Sequence, residues 1–183
     1  MPLPETWDWK RAAMRLSLIE PDISLEAEFM GMLAEFEASG GPVPFVMHFG
    51  RRRFADIVEA AVANAQGTEV TPNMEPSTTW WFSDQNRHLL GVVNIRHRLN
   101  EYLENYGGHI GYGIRPSERG KGCATALLSL ALRKAETLKL KRVLITCEKN
   151  NVASRKVIQK NGGVLEDERV YMGITMLRYW IDI

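Results

Sequence analysis

The stretch Ile110-Gly-Tyr-Gly-Ile-Arg-Pro-Ser-Glu-Arg-Gly-Lys-Gly-Cys-Ala-Thr125 reads as a strand, a proline turn, a loop with two close glycines, and the start of a long helix. Gly120 and Gly122 let the backbone take positive φ and approach a ligand closely. The first-turn amides of the helix that follows have no intrahelical partner. They sit at the positive end of the helix dipole, where a pyrophosphate is the natural occupant. Arg119 and Lys121 add positive charge beside it. Taken alone, a glycine pair is equally a plain strand-to-helix connector. Two other phosphate loops are excluded. No Gly-x-x-x-x-Gly-Lys-Ser/Thr occurs, and Gly120-Lys-Gly-Cys-Ala-Thr125 lacks the third glycine of the dinucleotide fingerprint.

Working outward, Ala124, Leu127, Leu128, Ala131, Leu132, Ala135 and Leu138 trace one helix face. Arg142–Cys147 is a short apolar strand. Asn151–Lys160 is a short helix closed by Gly162-Gly163, residues suited to a left-handed cap. Strands near Val164–Val170 and Met172–Ile181 finish the chain. Upstream, His109–Arg115 is a strand, preceded by a polar, tyrosine-bearing stretch at Arg98–Gly108. Thr78–Ser83 and Leu89–Arg96 flank the turn signal Asp84-Gln85-Asn86 and predict a β-hairpin. The first third reads as a short strand at Met14–Ile19 and two amphipathic helices. Leu25, Phe29, Met32, Leu33 and Phe36 mark the first, which Gly40-Gly41-Pro42 ends. Phe54, Ile57, Val58, Ala61 and Val62 mark the second. Gly67–Ser77 reads as a loop. The order predicts an α/β (α+β) fold whose mixed, mostly antiparallel central sheet of six to seven strands is flanked by helices. No linker divides residues 1–183, so a single domain is expected.

The 183 residues are 45% hydrophobic and 25% charged, ordinary values for a globular chain. The longest nearly apolar run, Ala124–Leu132, is interrupted by Thr125 and Ser129. It is far short of the roughly twenty residues a membrane helix needs, so no membrane association is expected. Lys plus Arg number 23 and Asp plus Glu 22, a net charge of +1. That balance removes the simplest argument for nucleic-acid binding, although Arg51-Arg52-Arg53 and Arg115–Lys121 are local clusters. Cys123 and Cys147 are too few for a disulfide framework or a four-ligand zinc site. They predict reduced thiols, a cytoplasmic setting and no metal. Glu5, Asp8, Lys10 and Arg11 argue against a secretory leader.

Arg119-x-x-Gly122-x-Ala124 resembles the Arg/Gln-x-x-Gly-x-Gly/Ala signature of the GCN5-related N-acetyltransferases (GNAT superfamily). Ile110-Gly-Tyr-Gly-Ile-Arg-Pro is similar to the family's fourth strand with its proline turn. Cys147-Glu-Lys-Asn-Asn-Val-Ala-Ser154 followed by Gly162 is similar to its fifth strand, Asn-x-x-Ala/Ser step and closing glycine. The resemblance covers Ile110 to about Gly163 and is nearest to bacterial acetyltransferases known from genomes without an assigned substrate. It implies acetyl-CoA as cosubstrate, held through the backbone of Gly120, Lys121, Gly122, Cys123, Ala124 and Thr125. It also implies that the main chain of Gly113 and Ile114, in a bulged strand, pairs with the pantetheine arm. Asn151 and Ser154 match further CoA-side positions, and Asn151 is also a plain helix N-cap.

The implied reaction is attack of a primary amine on the thioester through a tetrahedral intermediate, which a strand amide can stabilise. A lysine-like acceptor must first lose a proton, so a base or water relay helps. Glu148, after the fifth strand, and His109, at the start of the fourth, are the candidates. A solvated strand-end charge and a half-buried ring are their plain alternatives. Many members protonate the departing thiolate with a tyrosine seven residues beyond the motif asparagine. Here that position is Ile158, which leaves Ser154, Tyr112 or no acid. A covalent acetyl-Cys147 route is disfavoured. The acceptor, a small-molecule or peptide amine, is expected among Trp80, Trp81, His97, Glu101, Tyr102, Glu104 and Tyr106, with core packing as the plain reading of the tryptophans. The missing tyrosine keeps a non-catalytic acyl-CoA sensor as the alternative. The resemblance also implies a homodimer, because many relatives pair through late strands.

Overall fold

The computed structural model describes residues 16–47, 52–68 and 74–183. Met14 and Arg15 of the first strand, Arg51, residues 69–73 and the charged N-terminal residues lie outside the described part. The strands are β1 (Ser17–Ile19), β2 (Ser77–Ser83), β3 (Leu89–Arg96), β4 (Ile110–Ile114), β5 (Arg142–Glu148), β6 (Val164–Tyr171) and β7 (Ile174–Asp182). The helices are α1 (Glu26–Ala38), α2 (Phe54–Gln66), α3 (Cys123–Thr137) and α4 (Val152–Lys160). They form a mixed α/β fold with antiparallel strand pairs in two sheets, ordered β1-β2-β3-β4 and β5-β7-β6. The central sheet expected as one piece is therefore split between β4 and β5.

Why β3 and the Trp80–Phe82 part of β2 carry apolar residues at successive positions is clear from what covers them. Along β2, Trp80 and Phe82 face one core and Trp81 the other, as strand alternation requires. The first core is built on α3, whose Leu127, Leu128, Ala131 and Ala135 are fully buried. The second packs Phe29, Met32 and Phe36 of α1 and Phe54 of α2 against Trp81, Leu89 and Val92. A sheet covered on both faces needs apolar residues at successive positions. Ser83 pairs with Leu89 and Phe82 with Gly91, so Leu90 is an extra residue in the ladder. The bulge turns Leu90 into the first core while Leu89 and Val92 face the second.

The Arg98–Gly108 stretch, expected without regular structure, contains a helical turn at Leu103–Gly107. Gly108 N–H donates to Leu103 O at 2.6 Å, and Asn100 Oδ1 accepts from Leu103 N–H at 3.0 Å. Few apolar residues mark this turn; local side-chain capping forms it. At the chain's end, β6 and β7 join through Met172 (φ 49°) and Gly173 (φ 82°). Met172 is therefore a turn residue, and the last strand starts two positions later than expected.

Candidate active site

The two sheets share one core, and among the described residues their backbones are hydrogen-bonded at one place. His109 N–H donates to Leu144 O at 2.7 Å, and Leu144 N–H donates to His109 Nδ1 at 2.9 Å. Beyond this seam β4 and β5 diverge. Ile110–Ile114 on one side and Thr146, Cys147 and Glu148 on the other line a cavity of about 750 Å³. Both linings follow the seam in chain order, so the strands leave it in the same direction. The cavity continues over Gly120, Gly122, Cys123, Ala124 and Thr125 to Asn151 and Ser154.

At the loop end, Gly120 (φ 77°) and Gly122 (φ 83°) hold left-handed backbone, a conformation costly for other residues. Gly122 O accepts from Thr125 N–H at 3.1 Å and from Ala126 N–H at 3.2 Å. Gly122 has no side chain with which to cap α3. Among the described residues, no acceptor elsewhere in the chain meets the amides of residues 120 to 124. These N–H groups, which meet no acceptor on another described residue, lie at the start of a 15-residue helix and form an anion cradle.

Along β4, two flanking bonds set the phase of the ladder. Arg96 N–H donates to His109 O at 2.8 Å, and Arg115 N–H donates to Leu90 O at 2.9 Å. The register between them is unbroken, with Val92 opposite Gly113 and Val93 opposite Tyr112. By alternation, Gly111 and Gly113 turn their polar groups to β3, while Tyr112 and Ile114 turn theirs to the cavity. The expected bulge in β4 is absent, and the open-edge pair is Tyr112 and Ile114 rather than Gly113 and Ile114. Gly113 serves a different need: a Cβ there would overlap Pro44 Cγ and crowd Phe36.

Arg119 lines the cavity, its Nε donating to Ile114 O at 3.2 Å and its guanidinium 5.5 Å from the Phe36 ring centre. Lys121 points away; its Nζ binds both carboxylate oxygens of Glu118 at 3.1 Å. Asn151 Oδ1 accepts from Ser154 N–H at 3.0 Å. Ser154 Oγ lies 3.1 Å from Tyr112 Oη, which brings a hydroxyl pair to the cavity wall beside Cys147, whose thiol also hydrogen-bonds Ser154. Burial raises the Tyr112 phenol, with the Ser154 hydrogen bond opposing. It likewise raises the Cys147 thiol, so that sulfur is a poor nucleophile at neutral pH.

His109 is 7% exposed and does not line the cavity. Burial, then the Arg96 charge, lowers its pKa to about 4. Its Nδ1 is occupied by the seam. Trp80 and Trp81 are both core residues. His97 Nε2 lies 2.8 Å from Thr78 Oγ1. Neither these residues nor Glu101, Tyr102, Glu104 and Tyr106 line the cavity, although Gly107 does. Tyr102 and Tyr106 instead pack with Tyr171 of β6, at ring separations of 5.5 and 4.6 Å. Arg96, Thr146 and Met176 line the cavity without having stood out in the sequence. Arg96 looked like an ordinary charge ending an apolar strand.

An acetyltransferase (GNAT) domain model matches residues 42–164. The chain belongs to the GNAT acetyltransferase family. Solved structures share the fold. The microcin C7 self-immunity acetyltransferase MccE, in complex with acetyl-CoA and AMP, is 17% identical, with a TM-score of 0.63 over 92% of this chain and 93% of that one. An acetyltransferase from Salmonella typhimurium that modifies the N-terminal serine of ribosomal protein L7/L12 is 19% identical, with a TM-score of 0.66 over 92% and 95%. A chimera of spermidine N-acetyltransferase SpeG from Vibrio cholerae and hSSAT is 19% identical, with a TM-score of 0.62 over 92% and 95%. No curated protein matches the sequence. This GNAT chain is thus an acetyltransferase by family. Among its described residues no helix is long and apolar enough to cross a membrane, and no group of His, Cys, Asp and Glu is placed to hold a metal ion.

Proposed function

We propose that this protein is an N-acetyltransferase that moves an acetyl group from acetyl-CoA to a primary amine by direct attack, without an acyl-enzyme stage. The observation that carries the reading is the run of amides at residues 120 to 124 that meet no acceptor on another described residue, opening into the cleft between β4 and β5. The cradle suits a diphosphate, and the free edge of β4 suits an amide-bearing arm laid along it as an added strand. Bound there, acetyl-CoA supplies an acyl carbon activated as a thioester.

The chain's own groups then have distinct tasks. The amides of residues 120 to 124 bind phosphate oxygens. The main-chain groups of Tyr112 and Ile114 hold the arm in register. An N–H on this edge also faces the acyl oxygen as it gains charge. Glu148, at the mouth of the cleft, takes the acceptor's proton directly or through water. Tyr112 Oη, oriented by Ser154, returns a proton to the departing sulfur. It replaces the tyrosine absent from position 158, where Ile158 is fully buried. His109 has no part in this chemistry, because its ring holds the seam. The raised Cys147 thiol supports direct transfer.

The named neighbours include one acting on a protein N-terminus and one on spermidine, so an amine acceptor, small or peptide, fits the reading. The shared use of β2 and β3 by both cores supports one domain. Balanced charge and reduced cysteines support a cytoplasmic enzyme without a nucleic-acid target. Exposed Val164 and Val170 on the edge strand β6 support a homodimer, which light scattering measures. The direct test is thiol release from acetyl-CoA across an amine panel, beside thermal shifts. Acetyl-CoA is expected to stabilise the protein, ATP to do little, and at least one amine to turn over. Stabilisation by acetyl-CoA with no turnover on any amine would favour a sensor instead.

A further inference from the structure

Arg96, at the seam end of the cavity, has no counter-ion among the described residues. Arg96 ends β3 and its guanidinium lies over Gly111, where a Cβ would stand 3.3 Å from Nη1. It shares the cavity wall with Gly107, Ile110 and Thr146, near the seam and away from the anion cradle. Among the described residues its guanidinium makes one hydrogen bond, a long one from Nη1 to Gly108 O at 3.5 Å. No carboxylate of the described residues lies within ion-pairing distance of it. The other well-buried arginines differ sharply. Arg115 is held by Glu35 at 2.6 Å and Glu28 at 3.3 Å, and Arg178 by Glu166 and Asp167, each at 2.8 Å. Burial lowers the Arg96 pKa, with the Tyr102 phenol opposing.

A guanidinium carries five donors in a planar fork that matches a carboxylate. Leaving it desolvated without an anion is costly. Gly111 lacks a side chain that would fill the space over β4. The cradle at residues 120 to 124 already accounts for the phosphates of CoA, so a second cation at the far end of the same cavity requires a different anion. Arg119 and the starts of α3 and α4 also line the cavity, but they belong to the cradle end; the lone guanidinium over Gly111 matches a single negative charge rather than a phosphate.

We propose that Arg96 is a specificity-determining residue that docks a carboxylate of the acceptor, so the acceptor is an amine carrying a carboxylate rather than a polyamine. The inference rests on the acetyl-transfer reading above. The carboxylate has two sources. It is the α-carboxylate of a free amino acid, or the acidic side chain of a peptide's first residue.

Matched acceptors separate these sources. L-phenylalanine is compared with phenethylamine, L-lysine with cadaverine, and the C-terminally amidated peptide Asp-Ala-Ala with Asn-Ala-Ala. The wild-type protein is expected to favour the carboxylate partner of at least one pair by tenfold or more in kcat/KM, mostly through KM. An advantage confined to the first two pairs assigns the α-carboxylate; one confined to the peptides assigns the side chain. Arg96→Gln should remove the advantage while leaving the thermal stabilisation by acetyl-CoA unchanged. Arg96→Lys, which keeps the charge and loses the fork, should retain part of it and covers the case in which the glutamine variant does not fold. Preference for cadaverine, spermidine or O-phosphoethanolamine would overturn the proposal. So would an equal loss of kcat on every amine in the variants, because that assigns Arg96 to the reacting centre. Turnover with acetyl-CoA but no carboxylate preference sinks this inference alone. Absence of any stabilisation by acetyl-CoA sinks the underlying reading and this inference with it.

Discussion

Two sets of backbone amides bracket the cleft, and they are treated in opposite ways. At the seam, the amides of His109 and Leu144 are both satisfied inside the chain, one of them by an imidazole nitrogen. At the loop, the amides of residues 120 to 124 meet no acceptor on another described residue. The first arrangement hydrogen-bonds the two sheets to each other and stabilises the fold. The second leaves hydrogen-bonding capacity unused, which a protein tolerates where water or a ligand supplies the acceptors. Damage at the seam should therefore be read in stability and damage at the loop in ligand affinity.

The largest separation of the two is expected from Gly122→Val. A β-branched residue at φ 83° strains the backbone and disorders the cradle. Acetyl-CoA affinity should fall by about a hundredfold or more, roughly 3 kcal/mol, in calorimetric titration. The unliganded protein should lose about 1–3 kcal/mol to backbone strain, less than the loss in binding, and no steric clash adds to it, because no neighbour lies within 4 Å of a Cβ built there. Next is His109→Ala, which leaves the buried Leu144 N–H without its acceptor. The expected cost is about 1–3 kcal/mol, read from denaturant unfolding.

The same histidine sets a pH signature. Its folded pKa of about 4 lies below the unfolded value near 6.5, so the unfolded state binds the proton first. Its contribution to stability is present above pH 6.5 and is lost as pH falls from there through 4. His109→Ala should flatten that part of the stability profile. A smaller effect belongs to the transfer step. Tyr112→Phe removes the hydroxyl beside Ser154 and should lower kcat by about tenfold, the modest end expected where the leaving thiolate departs readily. The KM for acetyl-CoA should not change. A loss of binding instead would place the tyrosine among the cosubstrate contacts.

How much of this was legible in the sequence follows from what each feature depends on. Helix α3 and the loop before it were readable because period, glycine placement and the strand-to-helix switch are local properties. The family resemblance over Ile110–Gly163 drew on the same local pattern. The open edge of β4 was read one residue out. Strand phase depends on bonds from Arg96 and Arg115 to the neighbouring ladder, and no local pattern encodes it. His109 was equally opaque. A histidine at a strand start looks alike whether it serves as a base or accepts an amide from a strand 35 residues away. Trp80 and Trp81 were expected at the acceptor site, with core packing as the alternative, and the alternative holds because the sheet is covered on both faces. Arg96 escaped notice because its meaning lies in what is missing around it: a strand-end arginine ordinarily meets water or a carboxylate.

The measurement that bears most directly on the central claim is amide hydrogen exchange, with and without CoA, resolved at residues 109, 120–124 and 144. The account predicts that His109 and Leu144 are protected from the start and that residues 120–124 exchange freely until CoA slows them strongly. Loop amides already protected in the unliganded protein, or unaltered by saturating CoA, would contradict it.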